Sequence, residues 1–174
     1  MPSPRSPVPR RRLLRGLLAT ASLGALAGCG FRLRGAASFG FRSLHLASQT
    51  ALAQELRLDL ETSGAALRVL DTRSPREQAD VILDLVREQR QRVVVRRSAG
   101  GQVRELQLRI VLRFRLYTPK GVDLIPETEL TQQRDISYNE SQALAKEAEE
   151  ALMYRDMQSD LVRQLVRRLA AVKL

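Results

Sequence analysis

The chain has 174 residues, of which 44% are hydrophobic and 28% charged, and its formal net charge at pH 7 is +10. One cysteine and one histidine leave too few soft ligands for a zinc site and exclude a disulfide framework. From position 29 onward there are 24 basic and 19 acidic residues, a net charge of only +5. The basic excess of the whole chain is therefore no indication of nucleic-acid binding. The length suits a single domain behind an export signal.

Residues 1–28 have the composition of a secretory signal peptide. Arginines at positions 5, 10, 11, 12 and 15 precede a short apolar stretch over residues 13–27. That stretch is shorter than the roughly 20 apolar residues that a membrane-spanning helix needs. Its end, Leu26-Ala27-Gly28-Cys29, is similar to a bacterial lipobox. We therefore predict cleavage before Cys29 and attachment of lipid to that cysteine.

This signal places the mature chain outside the cytoplasm. Gly30 stands where an Asp would favour retention in the inner membrane, so the sequence is compatible with an outer-membrane anchor on the periplasmic side. The run Arg10-Arg11-Arg12-Leu13-Leu14 leaves twin-arginine export open as an alternative to the general secretory route.

The first elements follow a Gly-, Ala- and Arg-rich lipid tether over residues 29–40. Residues 41–46 predict a short strand. Residues 49–63 predict a helix, because leucines at positions 52, 56 and 60 have helical spacing. Gly64 then occupies the position that a helix C-cap glycine takes. A further short strand is predicted over residues 67–70.

Three longer strands follow. Residues 80–97 and 102–118 predict two strands joined by the turn Ser98-Ala99-Gly100-Gly101. Glu88 to Arg92 interrupts the apolar pattern of the first. The second alternates strictly, which places one row of apolar side chains on a single sheet face. That row consists of Leu106, Leu108, Ile110, Leu112, Phe114 and Leu116. A turn at residues 118–121 leads to a polar strand over residues 129–138.

A long helix is predicted from residue 140 to residue 171, with Asn139 as its cap. Apolar residues at steps of three and four form its stripe, namely Leu144, Ala148, Ala151, Tyr154, Met157, Leu161, Leu165 and Leu169. We expect an α+β domain over residues 41–174, in the order β-α-β-β-β-α. A mixed sheet of four to five strands would bury its apolar face under both helices, and arginine would occupy the other face.

The most informative feature is a cluster of basic charge on the predicted hairpin. Between Arg87 and Arg115 there are nine arginines and two acids, a net charge of +7. The arginines are residues 87, 90, 92, 96, 97, 104, 109, 113 and 115. Arginine suits sites that hold phosphate or carboxylate through paired N–H donors. An alternative is that these charges only prevent edge-to-edge strand pairing.

Other functions find little support in the residues. The hairpin lacks interleaved aromatic side chains for base stacking, which disfavours nucleic acid. His45 is the only histidine and lies in a predicted apolar strand. No catalytic, nucleophile, phosphate-loop or metal-ligand motif is present. We therefore expect neither an enzyme nor a cofactor.

Several segments together resemble the LptE family of outer-membrane lipoproteins in lipopolysaccharide transport. They are Cys29-Gly30-Phe31-Arg32-Leu33-Arg34-Gly35 after the lipobox, the hairpin with its glycine turn, Tyr138-Asn139 followed by Ala143-Leu144-Ala145-Lys146, Met157, and Gln164-Leu165-Val166-Arg167-Arg168-Leu169. The resemblance covers nearly the whole mature chain. It implies a non-enzymatic plug of the LptD barrel that assists barrel assembly and binds lipopolysaccharide.

The resemblance also implies positions for lipopolysaccharide binding. A family lysine with this role falls on Lys146, and a basic residue near the hairpin turn falls on Arg97, with Arg96 or Arg104 as alternatives. A different outer-membrane lipoprotein that binds acidic lipid or glycan without a barrel partner is the main competing hypothesis. An enzyme acting on envelope glycans is a third.

Overall fold

The computed structural model describes residues 38–174. For Glu140 it describes the backbone and not the side chain. It contains β1 (Ser43–Leu46), α1 (Ala51–Thr62), β2 (Arg68–Leu70), β3 (Val81–Arg97), β4 (Val103–Tyr117), β5 (Asp123–Ser137) and α2 (Ala143–Ala170). The predicted α+β class and mixed sheet are confirmed, with five strands, four of them between the two helices. The predicted signal peptide, Cys29 and most of the tether lie outside the described residues.

The five strands form one sheet in the order β2-β1-β3-β4-β5. β1 is parallel to both of its neighbours, and β3, β4 and β5 form an antiparallel meander. β1 meets β3 only where Leu44 to Leu46 lie beside Val81 to Leu83. Within residues 38–174, the rest of β3 therefore has a strand partner on its β4 side alone.

Strand alternation in β4 produces the centre of the core. The predicted row from Leu106 to Leu116 is buried, whereas the residues between its members are partly or fully exposed. The row shares one buried cluster with leucines of α1 and the apolar residues of α2. Both helices thus cover the same sheet face, as predicted.

Helix α1, predicted over residues 49–63, spans Ala51–Thr62. The side chain of Thr50 accepts a hydrogen bond from the backbone N–H of Ala53 and caps the first turn. Leu52, Leu56 and Leu60 are fully buried. Gly64 follows the last turn with φ = 72°, a conformation that favours glycine.

Helix α2 differs from the prediction in its first half. Leu144 is 83% exposed, and Ala148 and Ala151 are also exposed, whereas the stripe from Met157 onward is buried. The 12 residues of α1 span about 18 Å and the 28 residues of α2 about 42 Å. α1 is too short to cover all of α2, so the apolar stripe continues past the point where its partner ends.

A β-bulge in β3 changes which side chains face the helices. The register shifts between Leu85 and Arg87, so Glu88, Arg90 and Arg92 lie opposite the buried residues of β4. The expectation that arginine occupies the face away from the helices is therefore wrong for Arg90 and Arg92, and also for Arg104, which continues the alternate positions of the buried row of β4.

Strand β5 is longer than predicted, because it begins at Asp123 instead of residue 129. Pro126 lies within the added segment. A proline is tolerated there because β5 is the last strand of the sheet, where a missing N–H need not break a ladder. The two hairpin turns carry Gly101 and Gly121 with φ of 81° and 85°, as turn glycines require.

Candidate anion-binding surface

The β3–β4 hairpin presents its arginines on both faces of the sheet. Those on the face away from the helices, here called the open face, include Arg87, Arg109, Arg113 and Arg115, since β4 alternates with its buried row. Arg96 lies opposite Glu105 on the same face. The open face therefore holds most of the predicted cluster.

Four of the nine arginines form ion pairs with the protein's own acids. Arg96 Nε lies 3.0 Å from Glu105 Oε2, and Arg113 Nε lies 2.9 Å from Glu129 Oε2. The other two pairs are Arg92–Glu150 at 3.3 Å and Arg115–Asp84 at 3.1 Å. The acids thus neutralise part of the hairpin charge but not all of it.

The remaining five arginines have no carboxylate within 4.0 Å among the side chains that the structure describes, which exclude that of Glu140. Arg97 donates to the carbonyl of Gly101 at 3.1 Å, and Arg104 to Oε1 of Gln102 at 3.0 Å. Arg109 donates to Oε1 of Gln107 at 2.6 Å. A neutral acceptor leaves the positive charge uncompensated, so these guanidinium groups remain available to an anion.

Arg87 is a further unbalanced cation, because it faces Arg113 directly across the β3–β4 ladder. Like charges in opposed positions of a sheet are unfavourable. Glu129 offsets the charge of Arg113. A bound anion would offset that of Arg87.

Lys146 lies in the first turns of α2 and reaches the end of β5. Its Nζ donates to Ser137 Oγ at 3.3 Å and to Glu149 Oε2 at 2.8 Å. The side chain is only 14% exposed. Lys146 is therefore partly enclosed and holds the helix to the edge strand.

The structure brings the predicted basic residues to one end of the sheet, here called the basic end (Arg96, Arg97, Arg104 and Lys146). Glu105 is the link, because its strand neighbours are Arg96 on β3 and Ser137 on β5. Lys146 contacts Ser137, and the backbone carbonyl of Arg104 accepts from the N–H of Tyr138. Residues from three strands and one helix thus meet there.

Two tyrosines accompany the arginines on the helix side, and sequence reasoning gave them no such role. The guanidinium of Arg92 lies 5.1 Å from the ring centre of Tyr138, and that of Arg90 lies 5.3 Å from the ring centre of Tyr154. These are cation–π distances. The alternation of β3 could have revealed the pairing only if the position of the bulge were known.

Two groups at this hairpin, Tyr154 of α2 and Arg115 of β4, have shifted pKa values. Burial raises the pKa of Tyr154 above its usual value, and Glu150 adds to the rise, while Arg90 and Arg92 oppose it. The hydrogen bonds to Asp84 raise the pKa of Arg115. Tyr154 therefore stays protonated and donates a 2.7 Å hydrogen bond to the carbonyl of Gln91.

The described residues contain nothing that resembles a catalytic centre. His45 is 1% exposed, and its Nε2 lies 3.2 Å from the carbonyl oxygen of Ser74. Across residues 38–174 no group of three or more metal-binding side chains converges. In the same part of the chain, every helix is too short or too polar to cross a membrane.

Comparison with known families gives a match over most of the chain. The model of the family described as LptE, lipopolysaccharide-assembly, matches residues 41–169. These residues include the whole sheet and nearly all of α2. No curated protein matches the sequence.

Solved structures share the fold. Uncharacterized lipoprotein B from Nitrosomonas europaea is 28% identical, with a TM-score of 0.69 over 82% of this chain and 91% of that one. Rare lipoprotein B from Shewanella oneidensis is 19% identical, with a TM-score of 0.62 over 75% and 95%. A minor lipoprotein from Acinetobacter baumannii is 20% identical, with a TM-score of 0.59 over 78% and 95%. The last two comparisons support the fold alone.

Proposed function

Because this chain belongs to the LptE family of lipopolysaccharide-assembly lipoproteins, we propose that it plugs the LptD barrel at the outer membrane, helps that barrel assemble and binds lipopolysaccharide during transport. It is not an enzyme. The observation that carries the proposal is the basic end, because Arg96, Arg97, Arg104 and Lys146 lie at the same end of the sheet in a domain of this family.

The basic end has the chemistry that a lipid A phosphate requires. Arginine offers forked N–H donors to phosphate oxygens, and lysine offers a compact charge. Among the described side chains, Arg97 and Arg104 bond neutral acceptors alone, so neither must release one of those acids before binding an anion. Both are exposed.

The ion pair of Arg96 is the main competitor for such an anion. Its side chain is 68% exposed and that of Glu105 is 32% exposed. Exposed ion pairs contribute little, about 0–1 kcal/mol. A phosphate with two charges can therefore displace Glu105, so Arg96 and Arg97 can contact the same anion.

The remaining parts of the proposal concern location and partner. Lipid on Cys29 would hold the domain on the periplasmic side of the outer membrane through the tether of residues 29–40. The lumen of a large outer-membrane barrel is polar. The charged open face of this sheet suits such a lumen better than it suits lipid.

Purification from cells in mild detergent tests the barrel partner. A tagged chain should retain a stoichiometric LptD barrel, and depletion of the chain should leave LptD misassembled and lipopolysaccharide in the periplasm. A Cys29→Ser variant serves as the control for anchoring. Normal LptD and normal surface lipopolysaccharide after depletion would refute the proposal, and recovery of the chain without any barrel would favour a stand-alone lipid binder.

A further inference from the structure

One edge of the sheet is open over most of a long strand. β1 pairs with β3 only as far as Leu83, so within residues 38–174 the rest of β3 has no strand on that side. An unpaired edge offers backbone N–H and C=O groups to an added strand. Register shifts lie at Leu85–Arg87 and again beyond Val94, and the stretch from Glu88 to Val94 between them pairs regularly with β4. A regular segment of this length can accept a strand.

Helix α2 leaves an apolar face uncovered beside this edge. An interval of eighteen residues is about five helical turns, so two residues that far apart project from the same side of the helix. Val162 and Val166 are buried, whereas Leu144 and Ala148, eighteen positions earlier, are exposed. The side of α2 that is buried in its second half is thus open in its first half.

Contacts place this open side of α2 next to β3. Gln158 projects from nearly the same side of α2 and forms hydrogen bonds with both Arg90 of β3 and Glu55 of α1. Glu55 belongs to the first turns of α1, and only the four residues from Ala51 to Gln54 precede it there, which is too few to cover the first turns of α2. Tyr154 Oη reaches the carbonyl of Gln91 at 2.7 Å. The open strand edge and the open helix face therefore adjoin.

Charge decides what can occupy this groove. β3 carries five arginines from Arg87 to Arg97 and one acid, Glu88. A second copy of the chain would bring the same arginines against them, and like charges across a strand pair are unfavourable. An acidic strand would place carboxylates beside Arg87 and Arg97, which have no acidic partner among the described side chains.

We propose that an extended acidic segment of a partner polypeptide binds here, adding as a strand to β3 and packing its apolar side chains against Leu144 and Ala148 of α2. The backbone pairing supplies affinity, and the arginines and the helix face select the sequence. The proposal concerns polypeptide recognition, and it depends neither on lipopolysaccharide binding nor on LptD.

A synthetic peptide tests the groove with the full chain in mild detergent. The probe is a labelled peptide of about nine residues in which glutamate and valine alternate. The fluorescence anisotropy of the label measures its binding. We expect saturable binding that weakens at least about tenfold when alternate peptide nitrogens are methylated, since methylation removes the backbone donors. A lysine–valine peptide should not bind.

Two variants locate the binding site. Leu144→Glu should weaken binding at least about tenfold, and Leu58→Glu, at a 62% exposed leucine of α1, should change it by less than about twofold. Absence of saturable binding, equal binding of the methylated or the lysine peptide, or equal effects of the two variants would overturn the proposal. The assay contains neither lipopolysaccharide nor LptD, so its failure is distinct from failure of the proposed function.

Discussion

Arg90 of β3 donates a 2.7 Å hydrogen bond from Nη2 to Oε1 of Gln158 on α2. Gln158 in turn donates from Nε2 to Glu55 on α1 at 2.7 Å, and Ser159 donates to the same carboxylate. The chain of bonds joins the sheet to both helices. It accounts for the arginines that interrupt an otherwise apolar strand, because Arg90 and Arg92 meet polar partners on α2.

Removal of Gln158 should therefore destabilise the fold. Gln158→Ala removes the hydrogen-bond partner of Arg90 and one of the two partners of Glu55, and we expect a loss of about 1–3 kcal/mol in the free energy of unfolding. Chemical denaturation measures the loss. Gln54→Ala, at an exposed glutamine of α1, is the control and should stay within about 0.5 kcal/mol. Equal effects of the two variants would show that the network does not stabilise the domain.

Asp80 should make stability depend on pH. Its carboxylate accepts from the backbone N–H of Arg42 at 2.8 Å and of Ser43 at 3.0 Å, joining the start of β1 to the start of β3. The hydrogen bond from Arg42, followed by that from Ser43, lowers the pKa of Asp80 below its usual 3.8. A lowered pKa in the folded state stabilises the fold above the unfolded-state pKa, and the contribution disappears as pH falls through the folded-state value.

Asp80→Asn should accordingly lower stability by about 1 kcal/mol at pH 7 and by progressively less below about pH 4. Asp71 adds to the same trend, since the N–H of Arg73 lowers its pKa too. The comparison is therefore between variant and parent at each pH, with the exposed Asp156→Asn as control. A constant difference between Asp80→Asn and the parent from pH 7 to pH 3 would contradict the assignment.

The two halves of α2 should respond differently to truncation. Leu161→Ala removes a fully buried side chain and should cost about 2–5 kcal/mol. Leu144→Ala removes an exposed one and should change stability by less than about 0.5 kcal/mol. Thermal or urea unfolding of the isolated chain measures both. A large loss at Leu144 would mean that the first half of the helix packs against the domain after all.

Gly40 should tolerate no side chain. It pairs with Lys173, and a Cβ on Gly40 would lie 2.5 Å from the backbone oxygen of Val172. Gly40→Ala should therefore separate the start of the domain from the residues after α2 and cost roughly 1–3 kcal/mol. Gly100→Ala is the control, because a Cβ there would meet only Ser98 Oγ at 3.9 Å. Equal stability of the two variants would rule out the close approach.

Individual helices and strands were predictable from the sequence where the apolar residues follow a single helical or strand periodicity. The strict alternation of β4 predicted its buried row, and the leucine spacing with Gly64 after it predicted α1. The exposed half of α2 was not predictable in the same way. Periodicity predicts that a helix has an apolar side. Whether Leu144 on that side is covered depends on how far α1 extends along α2, which is a property of the tertiary structure.

The site was predictable only in part for a similar reason. The charge count identified the hairpin, and the structure brings Arg96, Arg104 and Lys146 to one end of it. A single bulge after Leu85 moved Arg90 and Arg92 to the helix side. Bulges depend on the fit between strands, so their positions are not apparent from one strand alone.

Lipopolysaccharide binding by the basic end is the most direct test of the proposed function. We would measure the affinity of the full chain in detergent for purified lipopolysaccharide at constant ionic strength, since salt screens exposed charges. Arg96→Glu with Arg97→Glu should weaken binding at least about tenfold. The matched control, Arg167→Glu with Arg168→Glu, makes the same charge change in the last turn of α2 and should weaken it by less than about twofold. Equal losses in the two double variants, or no loss in the first, would contradict the account.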